Sequence, residues 1–292
     1  MNLPQFEHLA PRSVQDTCVL LSRHGKEARI VAGGTDLLVK MKHRRLLPRY
    51  LINIKRIPDL DYVRYEPGEG LRIGALTTIE SLKGSVVVRR KFPVLHQAVA
   101  YMATVEIRNR ATIVGNICNG SPSSETAPSL IALGARARIV RDGGERIVPV
   151  EDFFTGPGRT ILQPSELVAE IQIPKPLPRS AGVYEKHSLR RMDVAIVSVA
   201  AMVTLDGEIC SDIRIVLGAV APTPLIARKA ADVLQGRKPS DDLIKQAAWT
   251  ASEESRPISD IRGTGEFRRN MVGILTQQVI QQALREISPR VG

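Results

Sequence analysis

The stretch EARIVAGGTDLLVKMKHR constrains this chain most. A short strand from Ala28 to Ala32 runs into Gly33-Gly34-Thr35-Asp36, and an amphipathic helix follows. A strand that turns at paired glycines into a helix is a unit of mixed α and β domains, not of a bundle or a sandwich. The alternation recurs on both sides. Before it, Val14, Cys18 and Leu21 lie at helical spacing between Ser13, an N-cap, and Gly25, a stop. After it, strands are expected at Tyr50 to Ile54 and Leu71 to Leu76, and Thr77 with Glu80 has the spacing of a capping box.

Farther on, Leu95, Val99 and Met102 share a face of a helix over Phe92 to Met102. TAPSLIALGA reads as a short helix closed by Gly134, and ARIV and RIVPV flank Asp142-Gly143-Gly144 as a hairpin. LVAEIQIP gives another strand before PKPLPRSAG, Pro174 to Gly182, whose three prolines mark the best boundary in the chain. Beyond it AIVSVAAMVTL and EICSDIRIVLGAV turn at Asp206-Gly207 as an antiparallel pair. Helices are expected at Pro224 to Gln235, Ser240 to Glu254 and Glu266 to Glu286, the last with a seam of Phe267, Met271, Ile274 and Leu275. With 292 residues this is a two-domain length, read as 1–176 and 177–292.

Composition excludes several function classes. No run reaches the roughly 20 apolar residues of a membrane span, and MNLPQFEHLAPRS lacks the apolar stretch of a signal peptide, so a cytoplasmic protein is expected. Cys18, Cys118 and Cys210 are far apart and lack CxxC spacing, which argues against a disulfide framework and against an iron–sulfur or zinc site on this chain. Five histidines lie scattered without metal-ligand spacing, and no GxSxG or HExxH occurs. The net charge of +11 favours an acidic partner. Aromatic residues at 4% are few for base stacking, so KMKHRR, Lys40 to Arg45, is read as a helix face and no nucleic-acid partner is expected.

Two glycine turns stand out, each expected where a strand gives way: Ala32-Gly33-Gly34-Thr35-Asp36 and Thr112-Ile113-Val114-Gly115-Asn116. Glycines there let successive N–H groups converge on an anion with no Cβ in the way, and two such loops would grip a pyrophosphate. The same residues also fit an ordinary βα turn and a bulge at Gly115. Glu125 suits either a ribose contact or the first turn of a helix, and Lys186, Arg190, Arg191 and Asp193 in YEKHSLRRMD fit a solvated face.

VAGGTDLLVKMK, LINIKRIPDL, LRIGALTTIESL, IRNRATIVGNICNGSPSSETAPSLIALGA, YEKHSLRRMDVAIVSVAAMV, IVLGAVAPTPLIARKA and RPISDIRGTGEFRRNMV, in that order, resemble the FAD-binding medium subunit of molybdenum hydroxylases. The resemblance spans nearly the whole chain. It implies an α+β fold: a two-part FAD-binding domain of the vanillyl-alcohol oxidase type, followed by a smaller α+β domain of antiparallel sheet plus helices. It places Ile30, Val31, Ala32, Gly33, Gly34, Thr35, Asp36 and Leu37 with Thr112, Ile113, Val114, Gly115 and Asn116 around the FAD pyrophosphate. Glu125 falls at the ribose-side acid, and Met102, Val168 and Lys186 along the flavin, with Tyr184 and Arg190 in the same block.

The chain departs from that family at two positions: it has Val114 where paired glycines are usual and Glu125 where aspartate is usual. It also lacks the cysteine-bearing inserted loop of 4-hydroxybenzoyl-CoA reductases. The resemblance implies FAD on this chain, a large molybdenum-cofactor subunit and a small [2Fe–2S] subunit as partners in a dimer of heterotrimers, and NAD or a quinone as acceptor. No catalytic or metal-binding residue is expected on this chain. The alternatives are a stand-alone reductase of the UDP-N-acetylenolpyruvylglucosamine reductase type and, on the strength of Val114, a flavin-free assembly subunit.

Overall fold

The computed structural model describes residues 2–287. Three short strands open it, β1 (Glu7–Leu9), β2 (Ala28–Val31) and β3 (Tyr50–Asn53), in a parallel sheet of order β1-β3-β2. Helix α1 (Val14–His24) packs on it, buries Cys18 and Leu21, and is capped by the Ser13 hydroxyl, which accepts from Asp16 N at 3.0 Å. Helix α2 (Leu37–Lys42) leaves β2 through the glycine bend.

A second sheet is antiparallel. It contains β4 (Val63–Glu66), β5 (Gly70–Gly74), β6 (Arg136–Arg141), β7 (Gly144–Pro149) and β10 (Leu167–Ile173), in the order β4-β5-β10-β6-β7, with β8 (Phe154–Gly156) and β9 (Arg159–Thr160) as a separate hairpin. Between β5 and β6 run α3 (Ile79–Gly84), α4 (Val86–Lys91), α5 (Pro93–Tyr101), α6 (Val105–Arg108), α7 (Ile113–Cys118) and α8 (Thr126–Ala132). The C-terminal part is a sheet of order β11-β12-β13-β14, from β11 (Ser180–His187), β12 (Val197–Asp206), β13 (Ile209–Gly218) and β14 (Leu225–Ile226). It carries α9 (Arg228–Leu234), α10 (Asp241–Glu254) and α11 (Gly265–Ile287).

That sheet is buried on both faces. Tyr184, Ala200 and Val216 belong to the core beneath α5 and α8, whereas Val183, Val199, Ala201, Ile215 and Leu217 belong to the core under α9, α10 and α11. Side chains alternate along a strand, so burial on two sides requires an almost continuous apolar run, which AIVSVAAMV supplies.

Four expectations are corrected. Thr78, not Thr77, caps α3, accepting from Ser81 N at 3.1 Å, while Thr77 is buried and its hydroxyl donates to the Tyr62 carbonyl at 2.8 Å. Glu80 accordingly leaves the cap and takes a hydrogen bond from Arg108 Nε at 2.5 Å. Pro224 to Gln235 is not one helix, because Leu225–Ile226 pair with β13 before α9 begins at Arg228. In α11 the buried stripe is Arg268, Val272, Leu275, Thr276, Val279, Ile280 and Ala283, and Phe267 and Ile274 face outward. A buried arginine takes a place in the stripe because Asp260 accepts from it at 2.6 Å, so counting apolar residues alone rotates the face by about one position.

Candidate functional site

The first bend follows β2, where Ile30 is half-buried and Val31 buried. Gly34 has φ +75°, a left-handed conformation that favours glycine, and its carbonyl accepts from Leu38 N at 3.0 Å to start α2 at Leu37. The N–H groups of Ala32, Gly33, Gly34, Thr35 and Asp36 donate to no other part of the described chain. Five successive amides without an internal acceptor are open to water or to a bound anion. Gly33 is glycine for a different reason: a Cβ there would lie 2.0 Å from the Arg110 carbonyl oxygen, so the bend rests directly against the backbone leading to Thr112. The two glycine segments therefore sit side by side.

The second segment is not a turn after a strand. It follows α6, and Thr112 caps α7, its hydroxyl accepting from Gly115 N at 2.9 Å while its carbonyl accepts from Asn116 N at 2.9 Å. The capping hydroxyl outweighs the glycine: TIVG places a cap three residues before a free N–H, which is a helix start. Ile113 N donates to the Thr77 carbonyl at 3.3 Å, so in this first turn the Val114 N–H has no partner among the described residues. Val114 has negative φ and lies 6% exposed in the first core, pointing away from the open side of the turn. Gly115 is exposed, and a Cβ there would meet only Thr112 Oγ1, at 2.9 Å. Asn116 ties this turn to the following loop, its Oδ1 accepting from Ser124 Oγ at 2.7 Å and Thr126 Oγ1 at 2.6 Å.

Beyond that loop lies a buried charge pair. Glu125 at the head of α8 and Lys186 in β11 have side chains 5% and 4% exposed, and the ammonium donates to the carboxylate, to the Tyr101 carbonyl at 2.9 Å and to the Asp193 carbonyl at 2.8 Å. Burial raises the Glu125 carboxyl to about 7 despite the lysine. Tyr184 Oη and Ser198 Oγ are buried beside β11 without a hydrogen-bond partner among the described residues, and burial, with Glu125 adding to it, pushes the Tyr184 phenol well up.

The solvated-face reading of YEKHSLRRMD therefore fails at Lys186, which is interior, and holds at Arg190 and Arg191, which are exposed, Arg191 lying over the Tyr101 ring at 5.1 Å. Met102 ends α5 at 9% exposure and Val168, in β10, is 1% exposed, so both side chains belong to the first core. Sequence reading missed Arg110, whose carbonyl seats Gly33, and Asn119, which accepts from Lys40 Nζ at 2.5 Å. Neither carries a local signal, because each acts on a residue about 80 positions away.

Together the residues offer a row of uncommitted main-chain donors, an open glycine turn beside it and a buried acid–base pair. That arrangement suits a diphosphate with an attached polar group. Among the described residues no group of three or more His, Cys, Asp and Glu is placed to hold a metal, and no helix is long and apolar enough to cross a membrane.

Residues 4–176 match the family described as FAD binding domain in molybdopterin dehydrogenase, and residues 182–283 match CO dehydrogenase flavoprotein C-terminal domain. The chain is 34% identical to the carbon monoxide dehydrogenase medium chain of Hydrogenophaga pseudoflava over 96% of its own length and 97% of the relative's. It is 30% identical to a putative xanthine dehydrogenase FAD-binding subunit of Escherichia coli over 88% and 89%. A solved carbon monoxide dehydrogenase from Hydrogenophaga pseudoflava superposes with a TM-score of 0.93 at 34% identity, covering 97% of this chain and 98% of that one. Quinoline 2-oxidoreductase from Pseudomonas putida 86 gives 0.92 at 30% identity, covering 98% and 99%.

Proposed function

The chain belongs to the FAD-binding medium subunits of molybdenum hydroxylases, a family of oxidoreductases, and from that premise we propose that it relays electrons between [2Fe–2S] clusters of a small partner subunit and an external acceptor such as NAD or a quinone. A large molybdenum-cofactor subunit completes the complex, arranged as a dimer of heterotrimers in the cytoplasm. Residues 1–176 form the cofactor-binding domain and 177–292 the C-terminal domain in this reading.

The observation that carries it is the row of free amides from Ala32 to Asp36 beside the open turn at Gly115. Diphosphate oxygens need donors that owe nothing to the fold, and the Val114 N–H adds one from the other side. With its side chain in the core, Val114 leaves that space clear, which removes the reason for a flavin-free reading. Bound FAD supplies a centre that takes electrons singly and releases them singly or in pairs.

The chain's own share is binding and electrostatics. Its main-chain donors stabilise the diphosphate charge by hydrogen bonding. Glu125 and Lys186 set the local charge between the head of α8 and β11, and Lys186 reaches a cofactor atom only by exchanging one of its three acceptors. The direct test is to purify the full chain and assay it for a yellow chromophore absorbing at roughly 450 nm. About one FAD per chain is expected; a colourless protein that takes up no FAD refutes the reading. Co-purification with iron–sulfur and molybdenum-containing chains tests the relay, and a chain that is always isolated alone would overturn it.

A further inference from the structure

Asn119 ends α7, and its own N–H donates to the Gly115 carbonyl at 3.0 Å, so its backbone moves with the second segment. Its side chain reaches across to α2. The amide Nδ2 donates to Asp36 Oδ1 at 3.1 Å, and Oδ1 accepts from Lys40 Nζ at 2.5 Å. Asp36 and Lys40 stand four apart on α2, the spacing at which acid and base usually pair with each other. Here one amide on another helix bonds both. Asp36 also occupies the N-cap position of α2 yet makes no side-chain capping bond, so its carboxylate serves the bridge and not its own helix.

This bridge ties together the two segments that present the free donors. Gly33 seated against Arg110 and Ala111 fixes how near the segments come at that point. The Asp36–Asn119–Lys40 bonds, with one partner at the end of α7, one at the N-cap of α2 and one within α2, add a second point of attachment. We propose that Asn119 is a positioning residue for the diphosphate: it touches no ligand and holds the Ala32–Asp36 amides in register with the Val114 amide. The proposal rests on the FAD reading above.

The test titrates the full-length, flavin-free chain with ADP, riboflavin and FAD. Asn119→Ala should raise the Kd for ADP and for FAD about tenfold, the scale of one lost hydrogen bond to a charged group. The Kd for riboflavin, which has no diphosphate, should stay unchanged. Lys40→Met cuts one arm without altering α7 and should give a smaller loss in the same pattern, ADP and FAD weakened and riboflavin spared, which serves if Asn119→Ala fails to fold. The double exchange Asp36→Asn with Asn119→Asp restores a donor opposite an acceptor and keeps Lys40 paired, so it should recover most of the ADP affinity. Undiminished ADP binding by both single variants overturns the proposal, as does equal weakening of ADP and riboflavin or a double exchange no better than Asn119→Ala. If the unaltered chain binds neither FAD nor ADP, the FAD reading itself falls, a result distinct from all of these.

Discussion

In the bend at 32–36 five amides donate to nothing within the described chain, whereas in the turn at 112–116 three of the four amides from Ile113 to Asn116 are already taken by the fold. The first region is a donor array built on positions that only glycine fills without strain or clash. The second is a capped helix start whose glycine keeps a space open. Glycine therefore does unlike jobs in neighbouring segments: close backbone approach at Gly33, left-handed φ at Gly34, clearance at Gly115. Main-chain donors also do not titrate, while the second region leads to Glu125, which does.

The contrast can be broken most forcefully at Gly33. Alanine there drives a methyl into the Arg110 carbonyl and should cost on the order of 3 kcal/mol in chemical denaturation, with loss of FAD uptake; a stable, flavin-loaded Gly33→Ala chain would show that the bends do not rest on each other. Next comes pH. The folded chain holds the Glu125 proton more tightly, at about 7 against an ordinary value of 4.5. This contribution to stability is therefore full below about 4.5 and lost as pH rises towards 7. Glu125→Gln should flatten that slope, a difference on the order of 3 kcal/mol across the window, checked by denaturant titrations from pH 4 to 8. An identical pH profile in the variant would mean the carboxyl is not held up by burial.

Smaller effects sharpen the comparison. Gly34→Ala must keep φ +75° and should lose about 1–2 kcal/mol, read from thermal midpoints. Thr112→Ala removes the cap from Gly115 N and should cost about 1 kcal/mol, with a modest loss of FAD affinity. Gly115→Ala should change stability least, within about 0.5 kcal/mol, because the helix preference of alanine offsets its contact with Thr112. If Gly115→Ala nevertheless weakens FAD binding strongly in titration, clearance above that turn is what the cofactor needs; if binding is untouched, the open side of α7 is not part of the site.

Local signals in the chain gave away the elements whose causes are local. Ser13 caps α1 as its position suggests, and the β12–β13 hairpin turns at Asp206-Gly207 as composition suggests. Legibility ends where a residue's role is set by distant packing. Nothing within YEKHSLRRMD says that β11 is covered on both faces, so Lys186 looks like surface until Glu125, 61 positions away, is brought against it. TIVG offers both a glycine that fits a turn and a threonine that fits a cap, and the cap decides the backbone. The α11 stripe misleads because its buried arginine answers to Asp260, outside the helix.

Lys186 has one further consequence. Its ammonium joins the end of α5, the head of α8 and the loop after β11, so a contact network runs through what the chain order makes a seam. Trimming the chain before Ser180 would strand a buried carboxylate with no counter-charge, and a graft of the C-terminal half from a homologue works only if its lysine reaches an acid of matching length. The two halves are thus poor candidates for modular exchange, and an engineer who wishes to recombine them must transplant residues 125 and 186 together.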